Sequence, residues 1–174
     1  NKGFEFTLNS GLIRKKNLSW DFGFNVTYNK NEITKLTSVE SPTFLGNQVG
    51  GISGAVGNTI QINSVGYPAN SFFVLQQVYD GNQNPVEGLY VDRNGDGIIN
   101  NNDFYRLKSP NPDVLLGVTS SVVYKNWNFN FVVRGNFGNH MYNNVFSNTG
   151  TFRTNSLNFL SNVSRNYLET GFGN

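Results

Sequence analysis

The chain has no cysteine, so it holds neither a disulfide framework nor a thiolate metal site. It has a single histidine, His140, and therefore no cysteine–histidine nucleophile pair. No nucleophile elbow and no serine–histidine–acid spacing stand out. No glycine loop leads into Lys-Ser or Lys-Thr to cradle a phosphate. Charged residues make up 14% of the chain, against roughly 25% in an ordinary domain. The net charge of +2 is too small to recruit nucleic acid. Leu, Ala, Glu and Lys, the helix builders, are scarce. No run of about eighteen apolar residues occurs, so no transmembrane helix is expected. It does not exclude a barrel, whose strands need only about ten alternating residues each. The chain opens at Asn1 inside a strand pattern with no signal peptide in view, as expected of a piece of a longer protein. These absences argue against an enzyme.

What the chain does have is aromatic residues, at 14%, with 15 Phe, 8 Tyr and 19 Gly. With abundant asparagine, they describe a β-rich chain whose polar groups are mostly neutral. The strongest pattern has period two. Trp20, Phe22, Phe24, Val26 and Tyr28 fall on one face of a strand, and Asp21, Gly23, Asn25, Thr27 and Asn29 on the other. Phe4, Phe6 and Leu8 alternate likewise with Glu5, Thr7 and Asn9. Leu116, Val118, Ser120, Val122 and Tyr124 alternate with Gly117, Thr119 and Ser121, with Val123 out of step. Trp127, Phe129, Phe131 and Val133 alternate with Asn128, Asn130 and Arg134, with Val132 out of step. Strands are expected at about 3–13, 18–31, 114–125 and 127–138.

Polar tight turns, Arg14-Lys15-Lys16-Asn17 and Lys125-Asn126, join these strands in pairs. Long stretches, about 33–113 and 139–174, follow each pair. Short and long connections alternate in this way in outer-membrane barrels, which have short periplasmic turns and long extracellular loops. Residues 46–58, with Gly46, Gly50, Gly51, Gly54 and Gly57, read as loop. Thr59–Asn63 and Ser71–Tyr79 are candidate short strands, and no segment has the pattern of an amphipathic helix. The strand aromatics suit a lipid-facing surface better than a sugar platform. The Arg14–Lys16 turn can touch phosphate, but its plainer role is to keep a hairpin end in water.

Asp92-Arg93-Asn94-Gly95-Asp96-Gly97-Ile98-Ile99-Asn100-Asn101-Asn102-Asp103 fits a calcium loop of the EF-hand pattern. Asp92, Asn94 and Asp96 supply hard oxygens, Gly97 the sharp turn, Ile98 a carbonyl, Asn100 a side chain or water, and Asp103 the closing carboxylate. Asp replaces Glu at the last position, and the flanks are extended rather than helical. The plainer alternative is an ion-free turn, since Asn, Asp and Gly favour turns in any case.

Several of these segments carry a family resemblance. Gly3-Phe4-Glu5-Phe6-Thr7-Leu8, Leu18-Ser19-Trp20-Asp21-Phe22 and Asn25-Val26-Thr27-Tyr28-Asn29-Lys30-Asn31-Glu32-Ile33 resemble the barrel hairpin of SusC/RagA-type TonB-dependent outer-membrane proteins. Val65-Gly66-Tyr67-Pro68, the Asp92–Gly97 run with Asp103, Ser109-Pro110-Asn111-Pro112, Gly117, and Tyr124-Lys125-Asn126-Trp127-Asn128-Phe129 follow in matching order. The resemblance implies an all-β chain, with residues 1–174 part of one transmembrane antiparallel β-barrel domain and its long loops extracellular. The plug domain is not in this chain.

The family further implies the bacterial outer membrane and TonB-driven import of an oligosaccharide or a peptide, through contacts that TonB makes to a plug. It also implies a SusD-like surface lipoprotein as partner. Tyr67, Phe72, Phe73 and Tyr79, in the long loop, are the candidate contacts for substrate or partner. The competing expectation is a calcium-stabilised extracellular β-sandwich that binds carbohydrate. A sandwich buries its aromatic faces against a second sheet, whereas a barrel gives them to lipid.

Overall fold

The computed structural model describes residues 1–38, 41, 43–52, 59–150 and 165. In chain order the strands are β1 (Lys2–Lys15), β2 (Leu18–Lys30), β3 (Asn47–Gly51), β4 (Thr59–Asn63), β5 (Ser71–Val74), β6 (Gln77–Tyr79), β7 (Pro85–Tyr90), β8 (Tyr105–Arg106), β9 (Val114–Tyr124) and β10 (Trp127–Phe137). A short helix, α1 (Asn144–Gly150), follows. The four long strands form one antiparallel sheet in the order β1-β2-β9-β10. The sheet is open, with β1 and β10 as its edges, so the described residues form a wall and not a closed barrel.

Register explains the sheet's character. Directly opposed residues of an antiparallel pair point to the same side. Phe4 opposes Tyr28, which opposes Val114, which opposes Phe137. Leu8, Phe24, Val118 and Val133 make another such row, and Ile13, Trp20, Val122 and Phe129 a third. One face is therefore apolar across all the strands. The other carries Asn9, Asp21, Asn25, Thr27, Thr119, Ser121, Asn128 and Asn130, with Leu115, Val123 and Val132 as apolar interruptions.

A β-bulge holds this sorting together. Gly11 opposes Asp21 but Ile13 opposes Trp20, so Leu12 is the extra residue. Before the bulge the even-numbered residues of β1 are on the apolar face; after it the odd-numbered ones are. Without it Arg14 would fall among the aromatics. With it Arg14 lies on the polar face and forms an ion pair with Asp21, its Nη1 donating to Asp21 Oδ2 at 2.9 Å. Gly11 leaves the room: a Cβ there would come within 2.7 Å of the Arg14 guanidinium. On the apolar face, buried Ser120 is satisfied by the Trp20 indole, which donates to its hydroxyl at 3.0 Å.

Nothing among the described residues covers the apolar face. Phe4 is 61% exposed, Phe129 64% and Trp127 78%. Among the described residues the buried hydrophobic ones are Ile62, Phe72 and Phe73, all in a second, smaller sheet of order β3-β4-β5-β8. The second sheet that a sandwich requires over the aromatic face is therefore not found among the described residues. A separate hairpin pairs β6 with β7. The segment 46–58, expected as loop, supplies β3, and its residues 53–58 lie outside those described. Helix α1 likewise lies where only loop was expected, in the segment 139–174, whose residues 151–164 and 166–174 are also outside them.

The smaller sheet is tied to one end of the wall. Ile33 N donates to Tyr67 O at 3.0 Å, and Ala69 N to Asn31 Oδ1 at 2.8 Å. At the opposite end, two-residue turns at 16–17 and 125–126 lie side by side, with Lys125 N donating to Asn17 O at 2.9 Å.

The two faces make opposite predictions for one substitution placed on neighbouring residues. In the full-length protein, Phe24→Arg sets a charge on the apolar face and is expected to cost about 2–4 kcal/mol. Asn25→Arg, on the polar face, is expected to be nearly neutral. The folded fraction in detergent, read by heat-modifiable gel mobility, distinguishes them. Equal losses from both variants would show that the apolar face does not meet lipid.

Candidate functional site at the loop end

The small sheet presents one aromatic residue in a braced position. Arg106, in the two-residue strand β8, lies 4.7 Å from the Tyr67 ring centroid and 5.4 Å from that of Phe73. Its guanidinium is fixed by donating to Ser64 Oγ at 2.9 Å and to Leu45 O at 2.7 Å. Tyr67 thus has a cation packed against it, an arrangement that holds a ring in place, and it remains 43% exposed. Tyr79, in the β6–β7 hairpin, is 57% exposed.

Phe72 and Phe73 are placed otherwise. They are 8% and 5% exposed, and Phe73 packs on Phe104 with ring centroids 5.2 Å apart. They build the small core and do not offer faces to a solute. The short alternation over 71–79 gave no means of telling a core aromatic from a contact aromatic. Arg106 escaped the sequence reading because its partners, at Leu45, Ser64 and Tyr67, are remote along the chain.

The loop from Asp92 to Asp103 folds around two carboxylates. Asp92 accepts from Gly95 N and Gly97 N, both at 2.7 Å. Gly95 (φ +74°) and Gly97 (φ +79°) take the left-handed backbone conformation this winding requires. Asp103 is fully buried, accepting from Arg93 N and Asn100 N at 2.8 Å each. Asn100 Oδ1 in turn accepts from Asn102 N at 2.8 Å, which caps the turn at Asn101–Asp103. Arg93 anchors the loop to the small sheet, donating to Gln76 Oε1 at 2.6 Å and covering the Tyr105 ring at 4.6 Å.

Of the expected calcium ligands, the structure brings Asp92 and Asp103 together, since their side chains interact. Asp96 is engaged elsewhere, with Asn94 Nδ2 at 2.8 Å and Ile98 N at 2.8 Å. Asn100 Nδ2 donates to the Ile98 carbonyl at 3.3 Å. Among the described residues no three His, Cys, Asp or Glu side chains stand together as a ready-made ion cage. Every donor atom the loop offers is nonetheless a hard oxygen, the type calcium takes.

A wall with one apolar and one polar face, long loops at one end and tight turns at the other is the architecture of an outer-membrane barrel segment. No family model matches the chain. The TonB-dependent receptor SusC of Bacteroides thetaiotaomicron is 41% identical over 174 residues, 98% of this chain and 17% of that protein. The TonB-dependent receptor P26 of Formosa agariphila is 34% identical over 164 residues, 87% of this chain and 16% of that protein. The solved structure of the RagAB peptide transporter superposes with a TM-score of 0.61 at 20% identity, covering 86% of this chain and 16% of that one. The chain therefore spans about 17% of the length of SusC and 16% of P26. It belongs to the TonB-dependent receptors, proteins of the bacterial outer membrane. Within that class its family is SusC/RagA.

Asp103 sets a pH limit on the loop. The Asn100 amide holds its carboxyl below the ordinary value of 3.8; burial opposes this, while the Arg93 and Asn94 amides and the Asp92 side chain add to it. A carboxyl depressed by folding contributes stability above its unfolded value, and that stability is lost as pH falls through the folded one. Limited proteolysis should find the 92–103 loop protected near neutral pH and opened only below about 3.8. Asp103→Ala should be cleaved there even at neutral pH. A wild-type loop that opens above pH 5 would show that Asp103 is not the anchor.

Proposed function

We propose that this chain forms part of the wall and outer mouth of a TonB-dependent importer, giving structure and solute contact and catalysing nothing. The observation that carries this reading is the sorted sheet, apolar and uncovered on one side, neutral and polar on the other. Asn25, Thr27, Asn29, Asn128 and Asn130 offer amides and hydroxyls to a hydroxyl- or amide-rich solute without the grip of paired charges. Such a lining suits a lumen that must release its cargo. An oligosaccharide or a peptide fits this chemistry. A SusD-like surface lipoprotein is the partner at the mouth, and TonB acts through a plug outside this chain.

The solute or lipoprotein contacts we assign are Tyr67 and Tyr79, the exposed members of the four aromatics. Deleting their whole segment would remove the core residues Phe72 and Phe73, so point changes are the cleaner test. In the full-length receptor, Tyr67→Ala and Tyr79→Ala should each lower uptake or lipoprotein association by roughly two- to tenfold, the worth of one aromatic contact. Assembly should be unaffected, since both side chains are exposed. Uptake and association both at wild-type level would remove the contact assignment, while the wall would stand.

The adjacent carboxylates Asp92 and Asp103 favour a calcium reading of the loop. A cation held by these hard oxygens would replace the Asn94 amide as partner of Asp96. The expected affinity is that of extracellular modules, about 10⁻⁴–10⁻³ M. Millimolar calcium should slow proteolysis of the loop in the wild type and not in Asp92→Asn. If chelation and calcium addition give the same cleavage rate, the loop is an ion-free turn.

A further inference from the structure

The tight-turn end of the wall carries a feature that import does not use. Lys15, Lys16, Asn17, Ser19, Lys125 and Asn126 line a cleft of ≈ 460 Å³ between the two turns. The backbone bond from Lys125 to Asn17 fixes the turns against each other, so the cleft is built and not an accident of two loose hairpins. Three of the residues lining it are lysines, with Leu18 of the apolar row beside them and Ser19 and Val123 of the polar row below. The ion pair found among the described residues is Arg14 with Asp21, which occupies the nearby guanidinium and leaves these lysines without a carboxylate in that pairing.

Register adds the second observation. Lys15 opposes Leu18, Leu18 opposes Tyr124, and Tyr124 opposes Trp127. Lys15 thus ends the apolar face itself, in one row with two exposed aromatics, Tyr124 at 49% and Trp127 at 78%. Lys125 Nζ lies 5.4 Å from the Tyr124 ring centroid. Along this edge the surface passes in one residue row from hydrocarbon-compatible to cationic. An amphiphile with a phosphate head and acyl tails is complementary to such a step; a soluble anion would use only the upper half.

We propose that this cleft binds the headgroup of an anionic phospholipid of the inner leaflet, with its tails laid against Trp127, Phe129 and Val122. The proposal rests on the reading of the sheet as barrel wall, in which short turns face the periplasm. An anionic headgroup is favoured over a zwitterionic one because three cations meet no compensating acid in the cleft lining. The tails need no further site, since the apolar face is continuous below the lysine row.

The test uses the full-length receptor in detergent, titrated with short-chain phosphatidylglycerol, phosphatidylcholine or inorganic phosphate and read by native mass spectrometry. Phosphatidylglycerol should bind the wild type about a hundredfold more tightly than the Lys15→Gln, Lys16→Gln, Lys125→Gln triple variant, at about one kcal/mol per lysine. Phosphatidylcholine should bind both alike. Heat-modifiable mobility shows that the variant is folded, and single Lys→Gln changes give a second series if the triple is not. Equal phosphatidylglycerol binding by wild type and variant overturns the site. Displacement of the lipid by equimolar inorganic phosphate overturns the lipid assignment in favour of a free-phosphate site. A separate arm labels Asn126→Cys with an impermeant maleimide. Labelling only after the outer membrane is permeabilised supports the inner-leaflet placement. Labelling of intact cells overturns the wall orientation, independently of the lipid titration.

Discussion

Everything in the wall depends on antiparallel register. In a pleated sheet a slip of one residue moves every side chain of a strand to the opposite face. Here such a slip would exchange a row like Leu8, Phe24, Val118 and Val133 with a row like Asn9, Gly23, Thr119 and Val132. Each pair is therefore pinned at an identifiable point. The Lys16–Asn17 and Lys125–Asn126 turns fix the two hairpins at one end. Trp20 and Ser120, on strands remote in sequence, fix β2 against β9. The bulge at Leu12 corrects the phase of β1 before its charged end, so that Arg14 meets Asp21 and not the aromatic face. Gly23 belongs to the same bookkeeping, since a Cβ there would sit 2.4 Å from Thr119 Oγ1 and 2.8 Å from Asn9 Oδ1.

That constraint is local and periodic, which is why the wall was legible in the sequence. The pattern around Trp20–Tyr28 needs no knowledge of its neighbours to be recognised as a two-faced strand. The bulge left no such mark, because its evidence is a change of phase between Leu8 and Ile13 that can be recognised only once β2 is in place. The loop end was legible only in outline. Thr59–Asn63 stands as the strand β4, but β3 lies in a glycine-rich run, and β8 is two residues long and exists because β5 lies beside it. Tertiary pairing, not propensity, makes those strands. The same holds for Phe72 and Phe73. Whether an aromatic in a short strand packs inward depends on which sheet receives it, and composition does not encode that.

The loop from Asp92 to Asp103 shows the reverse limit. Its residue types were fully legible, and their spacing suggested one centre. The structure satisfies much of the same spacing with backbone amides. Asp92 closes on Gly95 and Gly97, and Asp103 on Arg93 and Asn100. Carboxylates spaced to surround a cation are also spaced to accept from the amides of their own turns, since both use the same oxygens from the same concave backbone. The motif therefore specifies a winding more firmly than it specifies an ion.

The sparse core places a demand on the surroundings. Among the described residues, hydrophobic side chains are buried only in the small sheet, while the wall leaves Phe4, Phe6, Phe129 and Phe137 more than half exposed. In water such a sheet would aggregate through its face and through its edges, β1 and β10. In a bilayer the face finds its solvent, but the edges do not: each unpaired backbone group in hydrocarbon costs several kcal/mol, and only closure removes the edge. The wall is therefore stable only with further strands beside both β1 and β10. The tight-turn end and the loop end also experience different solvents. At the loop end, buried Ile62, Phe72 and Phe73 allow the small sheet to keep its shape in water by its own packing. At the turn end nothing comparable is buried among the described residues, and two hairpins are tied there by one backbone bond. A barrel segment of this kind is folded at one end by its own core and at the other by the membrane.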